Sequence, residues 1–398
     1  MEPHEKQTKS QAPCAPPKPA FPDRPNDSYA AAPLLPTPNE IIAMLDRRVV
    51  GQIEAKRTLA VAAYHHFLSC ALGELSNWQV EPTSVLLVGP TGSGKSHLLK
   101  TLSDCLKIPM FYLSCTGMTQ NGYRGVNVND ILDRLENDLA EDNRTQPAIV
   151  VLDEVDKLRE FPETHPVATC GVQQDLLTYL DGTKCGKSGL LDSSRILNVA
   201  CGAFVGLEKL RLRKSTTPQI GFVHQSPDLD SDREDSLEPL TSQHLIDYGF
   251  IPEFVGRFAA ISELTRLDAV TLRKILTTTE GNPLALKKRM YEIHGIELRV
   301  TDCALDELIA RAAKMETGAR SLKRVIHATL GRYDRRLPEM AAKGISSLTI
   351  TGETVRGEKP ALRTTTLDPK ELAQLLLLRK HAGAYSIWKK KPKEESVW

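Results

Sequence analysis

One stretch of the chain reads Gly89-Pro90-Thr91-Gly92-Ser93-Gly94-Lys95-Ser96. It follows the apolar run Val85–Val88 and precedes a helix-like segment, His97–Lys100. This is the G-x-x-x-x-G-K-[ST] pattern in the strand–loop–helix setting that a phosphate-binding loop requires. Its glycines let backbone N–H groups turn toward phosphate oxygens at a helix N-terminus. The pattern predicts an ATP site in which Lys95 reaches the β- and γ-phosphates and Ser96 ligates Mg²⁺.

A second stretch supplies the acidic groups that such a site needs. The near-continuous apolar run Ala148–Leu152 ends in two acids, Asp153 and Glu154. A carboxylate at the C-terminal end of a buried parallel strand lies beside the phosphate loop. We therefore expect Asp153 to hold Mg²⁺, and Glu154 to orient and deprotonate the water that attacks the γ-phosphate.

The other apolar runs predict the fold class. Met110–Leu113 and Arg195–Ala200 lack polar alternation and are separated from each other by helical segments. Such runs are typical of an α/β domain with a parallel sheet covered by helices on both faces. After about Leu264 the pattern becomes mainly helical, which predicts a smaller second domain. Its expected elements are two amphipathic helices and a short edge strand, at Ala304–Lys314, Ser321–Asp334 and Ser347–Ile350.

These patterns divide the 398 residues into four parts. Residues 1–36 contain nine of the 25 prolines and few large apolar side chains, so we expect a disordered arm. We expect order to begin at Thr37, where three residues indicate a helix start. Thr37 can cap the helix, Pro38 suits the first helical position, and Glu40 completes a capping box. The expected parts are a disordered arm, a large ATPase domain, a small helical domain and a basic C-terminal extension, at 1–36, 37–263, 264–355 and 356–398.

The composition is that of an ordinary soluble globular protein, with 41% apolar and 25% charged residues. A formal net charge of +1 gives no electrostatic reason to expect a nucleic-acid partner. No apolar run approaches the ~20 residues that cross a bilayer, and the N-terminus lacks an apolar signal core. The eight cysteines form no C-x-x-C pair. We therefore expect a cytoplasmic protein with no membrane partner, no disulfide framework and no zinc.

An ordered series of short motifs gives a family resemblance. The chain resembles the ClpX family, the ring-forming AAA+ unfoldases of the Clp protease, over residues 35–355. Besides the phosphate loop, the stretches that carry the resemblance are Leu35-Pro36-Thr37-Pro38, Val49-Val50-Gly51-Gln52, Leu152-Asp153-Glu154-Val155-Asp156-Lys157, Gly171-Val172-Gln173-Gln174, Gly202-Ala203-Phe204, Ile251-Pro252-Glu253-Phe254-Val255-Gly256-Arg257 and Thr317-Gly318-Ala319-Arg320.

The resemblance implies roles that the spacing of the residues leaves open. Val49 and Val50 would line the adenine pocket, with Gln52 close by. Arg257 would be the arginine finger that reaches in trans into the next subunit's site, although spacing alone favours a surface residue there, as it does at Arg320. Arg320 would be the second sensor, which couples the nucleotide state to the angle between the two domains. A site completed by a neighbour requires a ring, which in this family is a hexamer; we expect a homohexamer.

Two loops concern substrates and partners. Gly122-Tyr123-Arg124-Gly125 aligns with the pore loop that grips polypeptide, and an aromatic side chain between glycines suits sequence-independent pulling. Arg124 stands where the family has an aliphatic residue, so it adds positive charge to the channel unless it points away and only Tyr123 grips. The tripeptide Ile220-Gly221-Phe222 matches the one that docks on the ClpP peptidase; the alternative is an anchor that tethers the loop to its own domain.

The chain departs from the family in segments that recognise substrates. The arm contains only Cys14, so we expect no counterpart of the family's four-cysteine zinc domain. The segment between Gly182 and Arg195 is short and lacks the family's Arg-Lys-His loop, and Thr164–Cys170 differs from the usual second pore loop. The parts that hydrolyse ATP are kept while the parts that recognise substrates are changed, which indicates a divergent paralogue with a different set of substrates.

The leading interpretation is an ATP-driven unfoldase that feeds unfolded or tagged proteins to a ClpP-type peptidase. A remodelling chaperone without a peptidase is the main alternative. A nucleic-acid motor would require a basic channel and DNA-stimulated hydrolysis, which the near-neutral charge and the aromatic pore loop disfavour. An inactive adaptor subunit is disfavoured because the residues expected to hydrolyse ATP are all present: Lys95, Asp153, Glu154, Arg257 and Arg320.

Overall fold

The structure is a computed structural model, and it describes residues 35–76, 80–116, 118, 128–141, 147–159, 166–189, 191–212, 238–315, 317–358 and 360–364. The first part of the chain contains α1 (Pro38–Asp46), α2 (Ile53–Ser76), β1 (Thr83–Val88), α3 (Lys95–Leu106), β2 (Met110–Ser114), α4 (Val128–Glu141), β3 (Ala148–Asp153), α5 (Pro166–Leu180), β4 (Lys184–Cys185), β5 (Leu191–Asp192), β6 (Ile196–Gly202), α6 (Leu207–Arg211), α7 (Ser242–Tyr248), α8 (Pro252–Val255) and β7 (Ala260–Glu263). The second part contains α9 (Ala269–Thr277), α10 (Pro283–Ile293), β8 (Glu297–Val300), α11 (Asp302–Ala313), α12 (Ala319–Asp334), α13 (Leu337–Ala342), β9 (Ile345–Ile350), α14 (Gly352–Arg356) and β10 (Ala361–Thr364).

The first part is built on a five-stranded sheet with the order β2-β3-β6-β1-β7, in which all neighbouring strands are parallel. The central strands β3 and β6 are buried along nearly their whole length, because helices cover both faces. The predicted α/β class is thereby confirmed. All carboxyl ends of a parallel sheet meet at one edge, so the residues that follow β1, β3 and β6 lie side by side there.

The expected helix start at Thr37 is confirmed by a capping box. The Thr37 hydroxyl oxygen accepts from the backbone N–H of Glu40 at 3.4 Å, and the Thr37 N–H donates to the Glu40 carboxylate at 2.8 Å. Helix α1 then buries Ile41 and Leu45. The short segment from Arg47 to Gln52 joins α1 to α2 and contains the candidate adenine residues Val49 and Val50.

The second part has its own core, formed by apolar side chains of helices and of a three-stranded sheet with the order β10-β9-β8. The prediction that Ser347–Ile350 is an edge strand is wrong. The strand is central, because Leu348 pairs in parallel with Leu298 of β8 and antiparallel with Leu362 of β10. Strand β10 lies beyond the boundary expected at residue 355, so the sheet of the second part reaches residue 364.

Candidate nucleotide site

The phosphate loop lies between β1 and α3 at the carboxyl edge of the sheet. Gly92 and Gly94 have φ angles of +82° and +104°, in the left-handed region that glycine adopts without a steric cost. Gly94 precedes α3, whose N-terminus has no side-chain cap and no acidic residue in its first turn. A helix start of this kind presents its N–H groups to an anion.

Two buried hydroxyls beside the loop also fit a bound ligand. Ser93 Oγ and Thr317 Oγ1 are buried, and neither makes a hydrogen bond within the described part of the chain. A Cβ atom on Gly92 would lie 2.0 Å from the carbonyl oxygen of Thr317, so the loop and residue 317 are in direct contact. A buried hydroxyl without a partner is costly. Both groups therefore fit a ligand rich in hydrogen-bond acceptors, such as a triphosphate.

Lys95 is the first residue of α3, and its ammonium group is held against the loop. Nζ donates to the carbonyl oxygen of Gly89 and, at 3.1 Å, to that of Pro90. Burial lowers the pKa of Lys95, while the carboxylates of Asp153 and Asp156 act in the opposite direction. The lysine is thus placed where its charge can neutralise phosphate oxygens.

Asp153 ends β3, half-buried at the sheet edge, and two donors fix its carboxylate. Its Oδ1 accepts from the backbone N–H of Glu154 at 2.9 Å and from the thiol of Cys201 at 3.2 Å. Burial raises the pKa of Cys201, and the charge of Asp153 raises it further, so this thiol remains a donor. Cys201 was not among the site residues predicted from the sequence, although its place at the end of a neighbouring apolar run is a signal for this edge.

Glu154 is exposed and has a φ angle of +59°, in the left-handed region that is uncommon for residues other than glycine. Its Oε2 accepts a hydrogen bond from the hydroxyl of Thr116. Thr116 follows β2, the strand that pairs with β3. It too was absent from the site residues predicted from the sequence. The carboxylate that we expect to act on water is therefore oriented by a neighbouring strand.

The candidate adenine residues lie between α1 and α2. Val49 is buried and Val50 is half-buried. The buried ammonium group of Lys56 donates to the carbonyl oxygen of Val49 at 2.7 Å and pairs with Asp46 at 2.5 Å, which fixes the backbone of this segment. Gln52 is buried, and its side chain bonds to backbone atoms, not to a neighbouring side chain.

Arg320 lies in the first turn of α12, where a helix start was expected, and it belongs to the second part of the chain. The segment before it touches the phosphate loop, since the backbone N–H of Ala319 donates to the carbonyl oxygen of Gly92 at 3.1 Å. The charge of Arg320 also acts on Lys95, whose pKa it lowers. The structure thus brings Arg320 to the site that the first part of the chain builds.

Arg257 follows α8 and forms a two-point ion pair with Asp181, which follows α5. Nε lies 2.6 Å from Oδ1, and Nη2 donates to Oδ2 at 3.0 Å. Both side chains are partly exposed, at 42% and 39%. The guanidinium group is therefore held at the surface of its own subunit in a defined orientation.

Several expected elements lie outside the described residues: the proline-rich arm up to residue 34 with Cys14, the pore loop Gly122-Tyr123-Arg124-Gly125, the tripeptide Ile220-Gly221-Phe222 and the tail after residue 364. The short segment between Gly182 and Arg195 is described in most of its length. It forms the antiparallel pair β4–β5, and the backbone N–H of Ser188 donates to Glu136 at 3.0 Å.

The donor set fits ATP with Mg²⁺. One or two protein oxygens together with phosphate oxygens are the usual ligands of Mg²⁺, and Asp153 and Ser96 supply that number. Among the described residues, no group of three or more His, Cys, Asp or Glu side chains is arranged to hold a metal ion. In the same residues no helix combines the length and the apolar character that a membrane span requires.

A parallel sheet with a phosphate loop, strand-end carboxylates and an arginine from a following helical region defines an AAA+ ATPase. The model of the AAA domain (Cdc48 subfamily) matches residues 81–261, and the model of the C-terminal, D2-small domain of ClpB protein matches residues 267–333. The chain is 37% identical to the ATP-dependent Clp protease ATP-binding subunit ClpX of Azotobacter vinelandii, over 75% of this chain and 74% of the relative. It is 32% identical to the corresponding subunit ClpX 3 of Methylococcus capsulatus, over 82% of each chain. The chain belongs to the ClpX family of Clp ATPases.

Proposed function

We propose that this Clp ATPase unfolds protein substrates, draws them through the pore of a homohexameric ring and delivers them to a ClpP-type peptidase in the cytoplasm. The observation that carries the proposal is the contact between Gly92 and residues 317–319, because it joins the ATP site to the second part of the chain. The relatives are ATP-binding subunits of an ATP-dependent protease, which supports the same function.

Each site residue has a chemical role in this proposal. Bound ATP supplies the phosphoanhydride bond, and Mg²⁺ neutralises charge on its phosphates. Lys95 binds the β- and γ-phosphates, while Ser96 and Asp153 hold the Mg²⁺ ion. Glu154, oriented by Thr116, takes the proton of the attacking water.

Other residues bind the base and sense the nucleotide. Val49 and Val50 line the adenine pocket with Gln52 close by. Arg320 links the nucleotide state to the angle between a large domain, 37–263, and a small domain that begins at 264. Arg257 reaches the ATP site of the next subunit, so the ring is required for hydrolysis. The ion pair with Asp181 orients the Arg257 guanidinium before subunits meet.

The pore loop is the proposed substrate grip. Tyr123, which lies between Gly122 and the pair Arg124-Gly125, packs against any side chain of the translocating polypeptide. A ring of Arg124 side chains favours acidic segments and slows basic ones. Replacing Arg124 with Val should therefore equalise the degradation rates of matched acidic and basic substrates; unchanged rates would remove this part of the proposal.

A Glu154→Gln variant tests the ATPase ring and its substrates together. It binds ATP but lacks the carboxylate that accepts the proton of the water, so a ring with bound ATP should accumulate and retain substrate. We expect assembly at six times the 44.0-kDa mass of the chain and co-purification of protein substrates when ATP is present. The double variant Lys95→Ala/Glu154→Gln is the control, because it lacks the phosphate contact. A monomer under all nucleotide conditions would contradict the ring.

Peptidase delivery is tested separately from unfolding. Replacing Ile220-Gly221-Phe222 with Ser-Gly-Ser should abolish degradation of a tagged fluorescent protein by added ClpP-type peptidase, while ATP hydrolysis continues. If the replacement changes neither degradation nor peptidase binding, and the ring still unfolds substrates, the protein is a remodelling chaperone.

A further inference from the structure

Gln52 connects two segments of the chain that are far apart in sequence. Its side-chain Nε2 donates to the carbonyl oxygen of Ser93, in the phosphate loop, at 3.2 Å. The same nitrogen donates to the carbonyl oxygen of Thr265 at 2.9 Å, and the backbone N–H of Thr265 donates to Oε1 at 3.0 Å. The residue is only 8% exposed. Both N–H groups of the amide are therefore used by backbone carbonyls, and none is left to bind a base.

The backbone of Gln52 is held in a costly conformation to make this connection. Its φ angle is +53°, directly after Gly51 at +67°. A residue with a Cβ atom is sterically disfavoured in the left-handed region, and such strain persists where the surroundings fix it. The carbonyl oxygen of Gln52 also accepts the first hydrogen bond of α2, from Lys56 at 3.0 Å. The side chain is thus fixed to a rigid helix start.

Thr265 belongs to the linker between the two parts of the chain, residues 264–268 between β7 and α9. The linker begins against the sheet, where Leu264 donates to the carbonyl oxygen of Val88 at 2.7 Å. It ends at Asp268, whose carboxylate caps α9 through the N–H of Thr271 at 2.8 Å. Thr265 is therefore the point at which Gln52 holds the start of this linker.

We propose that Gln52 is a positioning residue that transmits displacement of the phosphate loop to the interdomain linker. When phosphates draw the loop at Ser93, the amide moves with it and carries Thr265, because the same nitrogen bonds both carbonyl oxygens. This route uses different hydrogen bonds from the one through Gly92 and Ala319. The coupling of the linker to work on proteins rests on the proposed function, but the coupling of nucleotide to linker does not.

Hydrogen–deuterium exchange with a non-hydrolysable ATP analogue tests the proposal in the full chain. In the wild type, the analogue should change exchange in a peptide covering 264–268 and in one covering 317–322. Gln52→Met keeps the length of the side chain but removes its three hydrogen bonds. At an analogue concentration that saturates each protein, we expect Gln52→Met to keep the response at 317–322, while its response at 264–268 should be at least fivefold smaller than that of the wild type.

Gln173 offers a matched control. It is fully buried and also makes three side-chain hydrogen bonds to backbone, to Leu158, Gly249 and Ile251, away from the linker. Gln173→Met should lower thermal stability by an amount similar to that of Gln52→Met and leave the response at 264–268 intact. An equal loss of response in both variants would mean that general loosening explains the effect, which overturns the proposal.

A second variant serves if Gln52→Met does not fold. Gln52→Glu keeps an acceptor for the Thr265 N–H but faces the carbonyl oxygens of Ser93 and Thr265 with a carboxylate, so it should also uncouple the linker. A wild-type linker that does not respond to the analogue, or a variant linker that responds as the wild type does, would refute the coupling. Failure of wild-type protein to unfold substrates would refute the proposed function alone, because the exchange experiment requires no substrate and no peptidase.

Discussion

The contact between Gly92 and Thr317 gives a prediction whose size follows from the structure. In a Gly92→Ala variant, the new Cβ would lie 2.0 Å from the carbonyl oxygen of Thr317 and 2.6 Å from its carbonyl carbon. The φ angle of +82° adds the left-handed penalty of about 1–2 kcal/mol. Because both colliding groups are backbone, relief requires the loop and residue 317 to separate, which breaks the bond from Ala319 N–H to Gly92 and costs about 0.5–1.5 kcal/mol more.

Gly94 provides the matched control in the same loop. Its φ angle is +104°, but a Cβ atom there would meet nothing within 4 Å. Gly94→Ala therefore bears the backbone penalty without the collision. We expect the free energy of unfolding to fall by about 1.5–3.5 kcal/mol in Gly92→Ala and by about 1–2 kcal/mol in Gly94→Ala.

Hydrogen–deuterium exchange of nucleotide-free protein measures the separation directly. The Ala319 N–H is protected by Gly92 in the wild type. In Gly92→Ala its exchange should become about tenfold faster, since 1.4 kcal/mol corresponds to a factor of ten in an equilibrium constant. In Gly94→Ala it should change by less than about threefold. Unchanged protection in Gly92→Ala, or equal loss in both variants, would refute a contact between the loop and residues 317–319.

Two predictions concern buried charged and titratable groups. Burial lowers the pKa of His66 to about 4, so the folded state keeps the imidazole neutral while the unfolded state binds a proton below pH 6.5. Stability that is present above pH 6.5 is therefore lost as the pH falls, by about 2 kcal/mol at pH 5. Urea unfolding of His66→Gln should lack that loss. Asp334 pairs with Lys287 at 2.5 Å and accepts from Tyr291 at 3.0 Å, with both ion-pair side chains 18% exposed, so Asp334→Asn should cost about 1–3 kcal/mol in thermal unfolding. Asp302→Asn, which breaks the ion pair between Arg273 and the 88% exposed Asp302, should cost less than about 1 kcal/mol, and equal effects would contradict the role of burial.

The sequence predicted the sheet well for a physical reason. Strands of a parallel sheet are buried on both faces, so they read as continuous apolar runs, and the runs ending at Val88 and Leu152 lie inside the observed β1 and β3. The capping box at Thr37 was predictable because all its groups lie within four residues. Strand β7 was missed: it has only four residues, and Ser262 and Glu263 interrupt its apolar pattern.

The tertiary contacts of the site could not be read from the chain. Cys201 and Thr116 reach Asp153 and Glu154 only because their strands flank β3, and strand order is a property of the whole sheet. Strand β9 is likewise central only because β10 pairs with it on the other side from β8. Strand β10 lies beyond the motifs that carry the family resemblance. Spacing therefore predicted the residues expected to act on phosphate, while the groups that orient them could be found only in the fold.

Two adjacent residues of the phosphate loop are bonded to two different points of the second part and its linker. Gly92 accepts from Ala319, and Ser93 is joined through Gln52 to Thr265. Because the loop is bonded at two points, unequal movement of those points would rotate the second part of the chain as well as shift it. If the loop acts as this rigid connection, Gly92→Ala and Gln52→Met should not be additive in the free energy of binding an ATP analogue: a coupling energy above about 0.5 kcal/mol is expected, and additivity within that limit would mean that the two connections act independently.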